Sequence, residues 1–404
     1  MRPLDPVTID RVVAVLVVAA LVSVYVLPSQ SAASFPTYLL PIAVVARFTI
    51  APVPIGRAAP VAIAVLLLLV YFSTSVWWSS EFSWRGAFST YSRCVLIAGF
   101  CAGVASSFAA SAATSAWLSR AVTVGAALAA VATLVDFHLH PTWDGRLAGL
   151  GQLRNSVVAA LTFSAALLIA LDAALNDTKW WRIAAVLAIA AIGGVIVATG
   201  SRNGYASAAV GSWIALLTAR RPEGARLALW LAAPLIVVAA AAVMTAYEPN
   251  AFTQLFPRGD SFRAAIWGAE WRRYLEGNPW FGLGTLTSDR VVVDDRAFAH
   301  PHSLYLASAL QGGLVGLVIL LAVLGCTVWK LVEMIHARAA RLGLSLIAAG
   351  TVAYLFDGWE LIDKVSVSWL VIWLPAGIAW ALGSAVSESR AGDRSMTVTA
   401  DIGR

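Results

Sequence analysis

Charge is what this chain has least of. Only 12% of its 404 residues are Asp, Glu, Lys or Arg, while 60% are hydrophobic, and an ordinary soluble domain carries about twice that charged share. No stretch is left over for a separate soluble domain. Cysteine is nearly absent too. Cys94, Cys101 and Cys326 lie inside apolar runs, where they read as small core hydrophobes and exclude a disulfide framework or a cysteine zinc site. No internal repeat is detectable, so the inverted halves of many transporters gain no support. The net charge of +6 could suggest nucleic acid, but the basic residues are scattered through short connections rather than gathered on one face, which excludes it.

What remains is hydrophobic length. The mean hydropathy is +0.79, and apolar runs of the roughly 20 residues that a bilayer demands fill most of the sequence. Residues 1–404 therefore read as a single polytopic membrane domain, an all-α integral membrane protein of about twelve transmembrane helices. Their cores fall at 12–27, 36–53, 58–76, 94–110, 119–137, 156–175, 183–200, 204–218, 227–246, 303–329, 340–356 and 366–383. The first run, followed by small residues, has some features of a signal sequence; the charge distribution favours an uncleaved first span.

That distribution is unusual. With the N-terminus inside, fifteen Lys and Arg fall in cytoplasmic segments and twelve on the outer side, Arg47 completing the 28. Basic residues normally concentrate inside. Exported arginines in short loops imply an anionic ligand bound outside.

One outer connection stands apart, residues 247–301 between the ninth and tenth spans. It is too long for a simple loop. Asp260 or Ser261 can cap a helix running to Glu276 and stopped by Gly277, with Arg263, Trp267, Glu270, Trp271 and Tyr274 along one side. Such a helix suits the membrane interface, as do the many Trp near outer span ends.

Within this frame several short patterns carry chemistry. Ser201-Arg202-Asn203-Gly204 joins two apolar spans with almost no loop; its arginine can snorkel to lipid phosphate, or, beside a helix N-terminus, bind an anion. Arg263 opens the amphipathic helix, and two guanidinium forks suit a diphosphate better than two lysines; Arg272 and Arg273 read as a solvated or headgroup-facing surface. Asn278-Pro279-Trp280-Phe281-Gly282-Leu283-Gly284 is a breaker-rich turn whose Gly-x-Gly is weak evidence of phosphate binding. His300-Pro301-His302-Ser303 precedes the tenth span. A histidine there can act as a general base, neutral at working pH from an unperturbed pKa of about 6.5. The alternatives are a helix cap or a zinc ligand, and zinc is disfavoured because no cysteine or spaced carboxylate completes a set. Asp136, Asp172, Asp357, Glu360 and Asp363 lie in or beside spans. Intramembrane carboxylates support a proton-coupled transporter, although 357–364 reads as a short outer loop. Asp289, Asp294 and Asp295 could hold a divalent cation, with a solvated loop the plainer reading.

Taken in order, these segments resemble the O-antigen ligase family, within the superfamily it shares with O-antigen polymerases. The resemblance covers roughly residues 140–380. It runs through Gly145-Arg146-Leu147-Ala148-Gly149 with Asn155, Ser201-Arg202-Asn203-Gly204, Phe262-Arg263 with Ile266-Trp267, the turn at 278–284, and His300 to Leu306 with Gly312-Gly313. Phe356-Asp357-Gly358 and Trp373-Leu374-Pro375 look like the ligase branch. One departure is Pro301-His302-Ser303, where many members read His-Asn-Ser. The resemblance implies a glycosyltransferase of the bacterial inner membrane with both termini cytoplasmic and its active site periplasmic. It would move preassembled polysaccharide from undecaprenyl diphosphate to a sugar hydroxyl of lipid A-core, without cofactor or metal and with inversion. The implied roles are His302 as base and Arg202 and Arg263 on the diphosphate, with Arg146, Arg154, Asn155 and His300 positioning substrates. An O-antigen polymerase, a protein-glycosylating relative and, from another class, the transporter remain as alternatives; the oligomeric state is not legible.

Overall fold

A computed structural model describes residues 6–50, 58–110, 112–142, 145–219, 262–288, 290–293, 295–358 and 360–384. Thirteen helices are described: α1 (Pro6–Val26), α2 (Gln30–Ala33), α3 (Phe35–Ile50), α4 (Ala59–Thr74), α5 (Trp84–Ala110), α6 (Ala112–Leu139), α7 (Ser156–Asn176), α8 (Lys179–Ala198), α9 (Arg202–Thr218), α10 (Arg263–Glu276), α11 (Leu304–Glu333), α12 (Arg338–Phe356) and α13 (Trp369–Ser384). Nine of the described helical segments are long and apolar enough to cross a membrane. The fold is an all-α membrane protein. Of the twelve expected spans, eleven coincide with described helices; the ninth, 227–246, lies outside the described residues, as do Arg258, the proposed caps Asp260 and Ser261, Asp289 and Asp294.

Within the bundle the most extensive packing is between α9 and α12, with α7 against α8 and α9 next. Small residues make that approach possible, as they must where lipid removes the hydrophobic drive between helices. A Cβ on Gly204 would sit 2.4 Å from that of Ala160, and one on Gly211 equally close to Leu168. Asn203 Nδ2 donates to Ala353 O at 2.9 Å and Ser207 Oγ to Ala349 O at 3.0 Å, so α9 is both packed and hydrogen-bonded along α12. The N-terminus of α9 thereby meets the C-terminus of α12. We call this the site end of the bundle.

α11 is too long to be one straight crossing: its 30 residues rise about 45 Å against a hydrocarbon thickness of about 30 Å. It breaks at Gly313, whose φ is +64°. The turn 278–284 fills the break with its own backbone. Leu283 N–H donates to Leu310 O, Gly284 N–H to Gln311 O, Leu314 N–H to Pro279 O and Val315 N–H to Trp280 O. Gly282, at φ +73°, is required there, since a Cβ would fall 2.4 Å from Gly313 N. The Gly-x-Gly of this turn is thus an interlocking backbone joint, and its amides are used within the protein rather than offered to phosphate. Beyond Gly313 the remaining 20 residues of α11 match one bilayer crossing.

Candidate active site

Three helix ends and two loops assemble the site. Ser201 caps α9 by accepting from Gly204 N–H at 3.3 Å, leaving Arg202 exposed as the first helical residue. α10 begins without a side-chain cap: Phe262 takes a left-handed conformation at φ +58° and turns the chain directly into Arg263. Arg263 Nε donates to Phe356 O, the last residue of α12, at 3.0 Å. Burial lowers the Arg263 pKa, Asp357 opposes that shift, and the charge of Arg202 adds to it. The two arginines therefore act on one another across the site end.

Gly277 ends α10 as expected, but the helix faces otherwise than its residue types suggest. Ile266, Glu270 and Tyr274 are buried, while Trp271 is 52% exposed. Trp267 is held by its Nε1, which donates to Pro301 O at 3.0 Å, and lies nearly parallel to the Phe356 ring. Trp267 thus ties α10 to the histidine segment and to the end of α12. Between α10 and α11 the chain forms a small hairpin, β1 (Val291–Val293) with β2 (Arg296–Phe298), with Asp295 at φ +60° in its turn.

His302 sits at φ +53°. The helix-cap reading of the histidines does not hold, because Ser303 caps α11 through Leu306 N–H. Its Nδ1 lies 3.3 Å from Asp357 Oδ1, on the residue that follows α12. With that carboxylate as acceptor, Nδ1 carries the proton and Nε2 is left with its lone pair unprotonated. Burial alone would raise the Asp357 carboxyl. Hydrogen bonds from His302 and the Gly358 backbone, with the nearby imidazoles, hold it below the usual carboxylate value. His300 packs against His302 with ring centres 4.1 Å apart, and its Nδ1 accepts from the His302 backbone N–H at 3.3 Å. Burial, and then the charges of His302 and Arg263, push the His300 pKa down to about 4, with Asp357 acting the other way.

In the sequence Asp357 stands in a short outer loop, among the transporter carboxylates and in the Phe356-Asp357-Gly358 motif, and none of these readings sets it beside His302. That loop is firmly held: Arg93 reaches Glu360 at 3.1 Å and Ile362 O at 3.2 Å, and Lys364 Nζ reaches Ser31 Oγ at 2.9 Å. Fifty-five residues separate Asp357 from His302, and no spacing rule in the sequence could pair them. The pairing also corrects the argument against zinc, because a carboxylate does complete a set: His300, His302 and Asp357 bring one donor atom each within 4.8 Å of one another. Two imidazoles and a carboxylate are suitable ligands for a divalent transition ion. The neighbouring charge of Arg263 and Arg202 works against a cation there.

The remaining candidates have different surroundings. Arg146 Nε donates to Thr199 O at 2.8 Å and packs over Gly200, bracing the turn that presents Arg202. Asn155 caps α7, its Oδ1 accepting from Val157 and Val158 N–H at 2.8 and 3.4 Å, which commits that oxygen to the helix. Arg154 is exposed at the end of the short 3-10 turn Gly151–Leu153. The carboxylates of the transporter alternative are engaged in the protein: Asp172 with Arg338 at 2.8 Å, and Asp136 with His140 at 3.1 Å.

Residues 184–321 match the family model for O-Antigen ligase (Wzy_C), a range holding Arg202, Arg263, His300 and His302. An O-antigen ligase of Pseudomonas aeruginosa is 27% identical over 332 residues, 80% of this chain and 78% of that protein. This chain resembles the O-antigen ligases. Among solved structures, a chain from work on a peptidoglycan synthase complex aligns over 80% of this chain and 96% of its own length, at 16% identity and a TM-score of 0.43, a likeness too distant to carry an assignment. The O-antigen ligase resemblance agrees with a multi-pass membrane enzyme of glycosyltransferase type. The matched range excludes Asp357, which enters the site through the fold.

Proposed function

We propose that the protein is an O-antigen ligase of the inner membrane, with both termini in the cytoplasm and the site end facing the periplasm. It transfers a glycan from undecaprenyl diphosphate to a sugar hydroxyl of lipid A-core. The observation that carries this reading is the juxtaposition of an imidazole–carboxylate pair, His302 and Asp357, with two arginines, Arg202 and Arg263.

Each group has a defined task. The donor diphosphate binds Arg202 and Arg263, whose N–H forks meet phosphate oxygens directly. The acceptor hydroxyl gives its proton to His302 Nε2 while its oxygen attacks the anomeric carbon. The bond from that carbon to the phosphate oxygen breaks, and its electron pair leaves with the diphosphate, where the guanidinium groups stabilise the developing charge. Asp357 orients the imidazole and stabilises its protonated form. His300, with its lowered pKa, adds no second positive charge beside the base at neutral pH. This is a single displacement, so the anomeric configuration inverts. The arginines fill the electrostatic role that a magnesium ion has in many phosphate-handling enzymes, and the reading needs no metal.

The test is transfer by purified protein in metal-free buffer, with lipid-linked glycan as donor and either lipid A-core or a second lipid-linked glycan as acceptor. Glycan joined to lipid A-core is the expected product. Growth of the lipid-linked chain instead assigns a polymerase, and no transfer to either acceptor rejects the reading.

A further inference from the structure

A second concave site lies away from the histidines, where the interlocking turn meets the 3-10 turn Ser75–Trp78 at the end of α4. The cavity measures about 530 Å³ and is lined by Trp78, Ser80, Asn278 and Phe281 with Gly277, Gly282 and Leu283, within the roughly 300–1,000 Å³ typical of small-ligand sites. We infer that this cleft holds a neutral pyranose unit of the membrane-anchored acceptor glycan, at a subsite separate from the donor diphosphate site.

Its lining suggests the ligand class. Two aromatic rings remain 40% and 52% exposed, those of Trp78 and Phe281. The Trp78 ring is fixed in place, because its Nε1 donates to Phe281 O at 3.2 Å and Tyr71 meets it edge-on at 6.1 Å. A fixed, exposed ring face offers an apolar plane to the C–H face of a sugar at little entropic cost. Asn278 supplies the polar complement: its Oδ1 takes Phe281 N–H at 3.1 Å, which leaves the amide Nδ2 for a sugar hydroxyl, and Ser80 adds a hydroxyl. None of the lining side chains is charged. A phosphate or a cation would find no counter-charge here; a polyhydroxylated neutral ring finds both an apolar plane and hydrogen-bonding groups.

Position suggests which glycan. The turn is seated in the Gly313 break, where the membrane-length part of α11 begins, so the cleft lies at the boundary level of the bilayer. The 14 residues of α10 separate Arg263 from Gly277 by about 21 Å. A donor has its reacting bond next to its own lipid diphosphate and is fixed at Arg202 and Arg263. An acceptor must keep its lipid in the membrane while a distant hydroxyl reaches His302, and a sugar hold at the boundary, a helix length from the base, fits that need. The inference rests on the transfer reading for the identity of the acceptor.

The experiment uses full-length protein in lipid nanodiscs carrying Phe281→Ala or Asn278→Ala. The KM for lipid A-core should rise about tenfold for Phe281→Ala, the effect of one lost aromatic contact, while the KM for lipid-linked donor and kcat at saturating acceptor stay at wild-type values. Phe281→Tyr should restore the acceptor KM. An unchanged acceptor KM, a raised donor KM or a fall in kcat overturns the subsite. Saturation-transfer NMR with delipidated core oligosaccharide gives a readout independent of turnover. Contacts are expected with wild type and lost with Phe281→Ala; no contacts with wild type overturn the subsite even if transfer proceeds. A protein that binds the oligosaccharide yet transfers nothing fails the ligase reading alone.

Discussion

The two ends of the helix bundle use arginine in opposite ways. At the end away from the histidines, Arg338 bridges Asp172 and Asp177 at 2.8 Å each, Arg120 meets Asp177 at 3.0 Å, and Arg341 reaches Asn176 at 3.3 Å. Positive and negative groups are matched there, and the network ties α6, α7 and α12 together. At the site end, Arg263 and Arg146 donate to backbone carbonyls of Phe356 and Thr199, and a buried carboxylate, Asp357, is engaged with His302. Similar side chains form a carboxylate-bridged cross-brace between helices at one end and, at the other, donate to backbone carbonyls beside the His302–Asp357 pair.

Substitutions at the two ends should therefore fail differently. The largest effect on donor binding is expected from removing two of the site-end guanidinium groups: Arg202→Ala with Arg263→Ala should weaken binding of lipid-linked donor by about a hundredfold or more, from two lost charge-assisted contacts, with the melting temperature near wild type. Arg202→Lys alone should lower kcat/KM about tenfold, since a point charge does not reproduce the bidentate fork. Arg338→Ala at the other end should do the reverse. It leaves buried Asp172 without its arginine and Asp177 with Arg120 alone, at a cost of about 3 kcal/mol, seen as a lower melting temperature and poorer yield with near-normal turnover per folded molecule. Donor binding lost in that variant would collapse the contrast between the ends.

Asp357→Asn sharpens the comparison within the site. The carboxylate's loss should cut kcat by about a hundredfold through the imidazole's orientation and charge, leaving the donor KM unchanged. The smallest effect concerns pH. His300 titrates near 6.5 when unfolded and about 4 when folded, so the unfolded chain binds the extra proton first. Stability should be full above about pH 6.5 and fall as pH drops toward 4. His300→Gln should flatten that part of a melting-temperature profile; an unchanged slope would place the acid sensitivity elsewhere.

The bundle was legible because hydropathy reports each span separately, and Arg202, Arg263 and His302 were legible because their types are costly beside apolar runs. Their mutual geometry was not. Asp357 joins the site only because α12 packs along α9, a contact made through Asn203, Ser207 and Gly211. The same holds at the opposite end, where Asp172 looked like a proton carrier until Arg338, 166 residues away, closed on it. Local pattern also misplaced the start of α10, which begins from left-handed Phe262, and it gave no sign that the glycines of 278–284 fit into a broken helix.

The most direct test is donor binding and turnover of purified His302→Ala measured side by side. The account predicts that lipid-linked donor binds within about twofold of wild type, the arginines being intact, while transfer to lipid A-core falls by about a thousandfold, the scale of a lost general base. Transfer at a wild-type rate by that variant would contradict it.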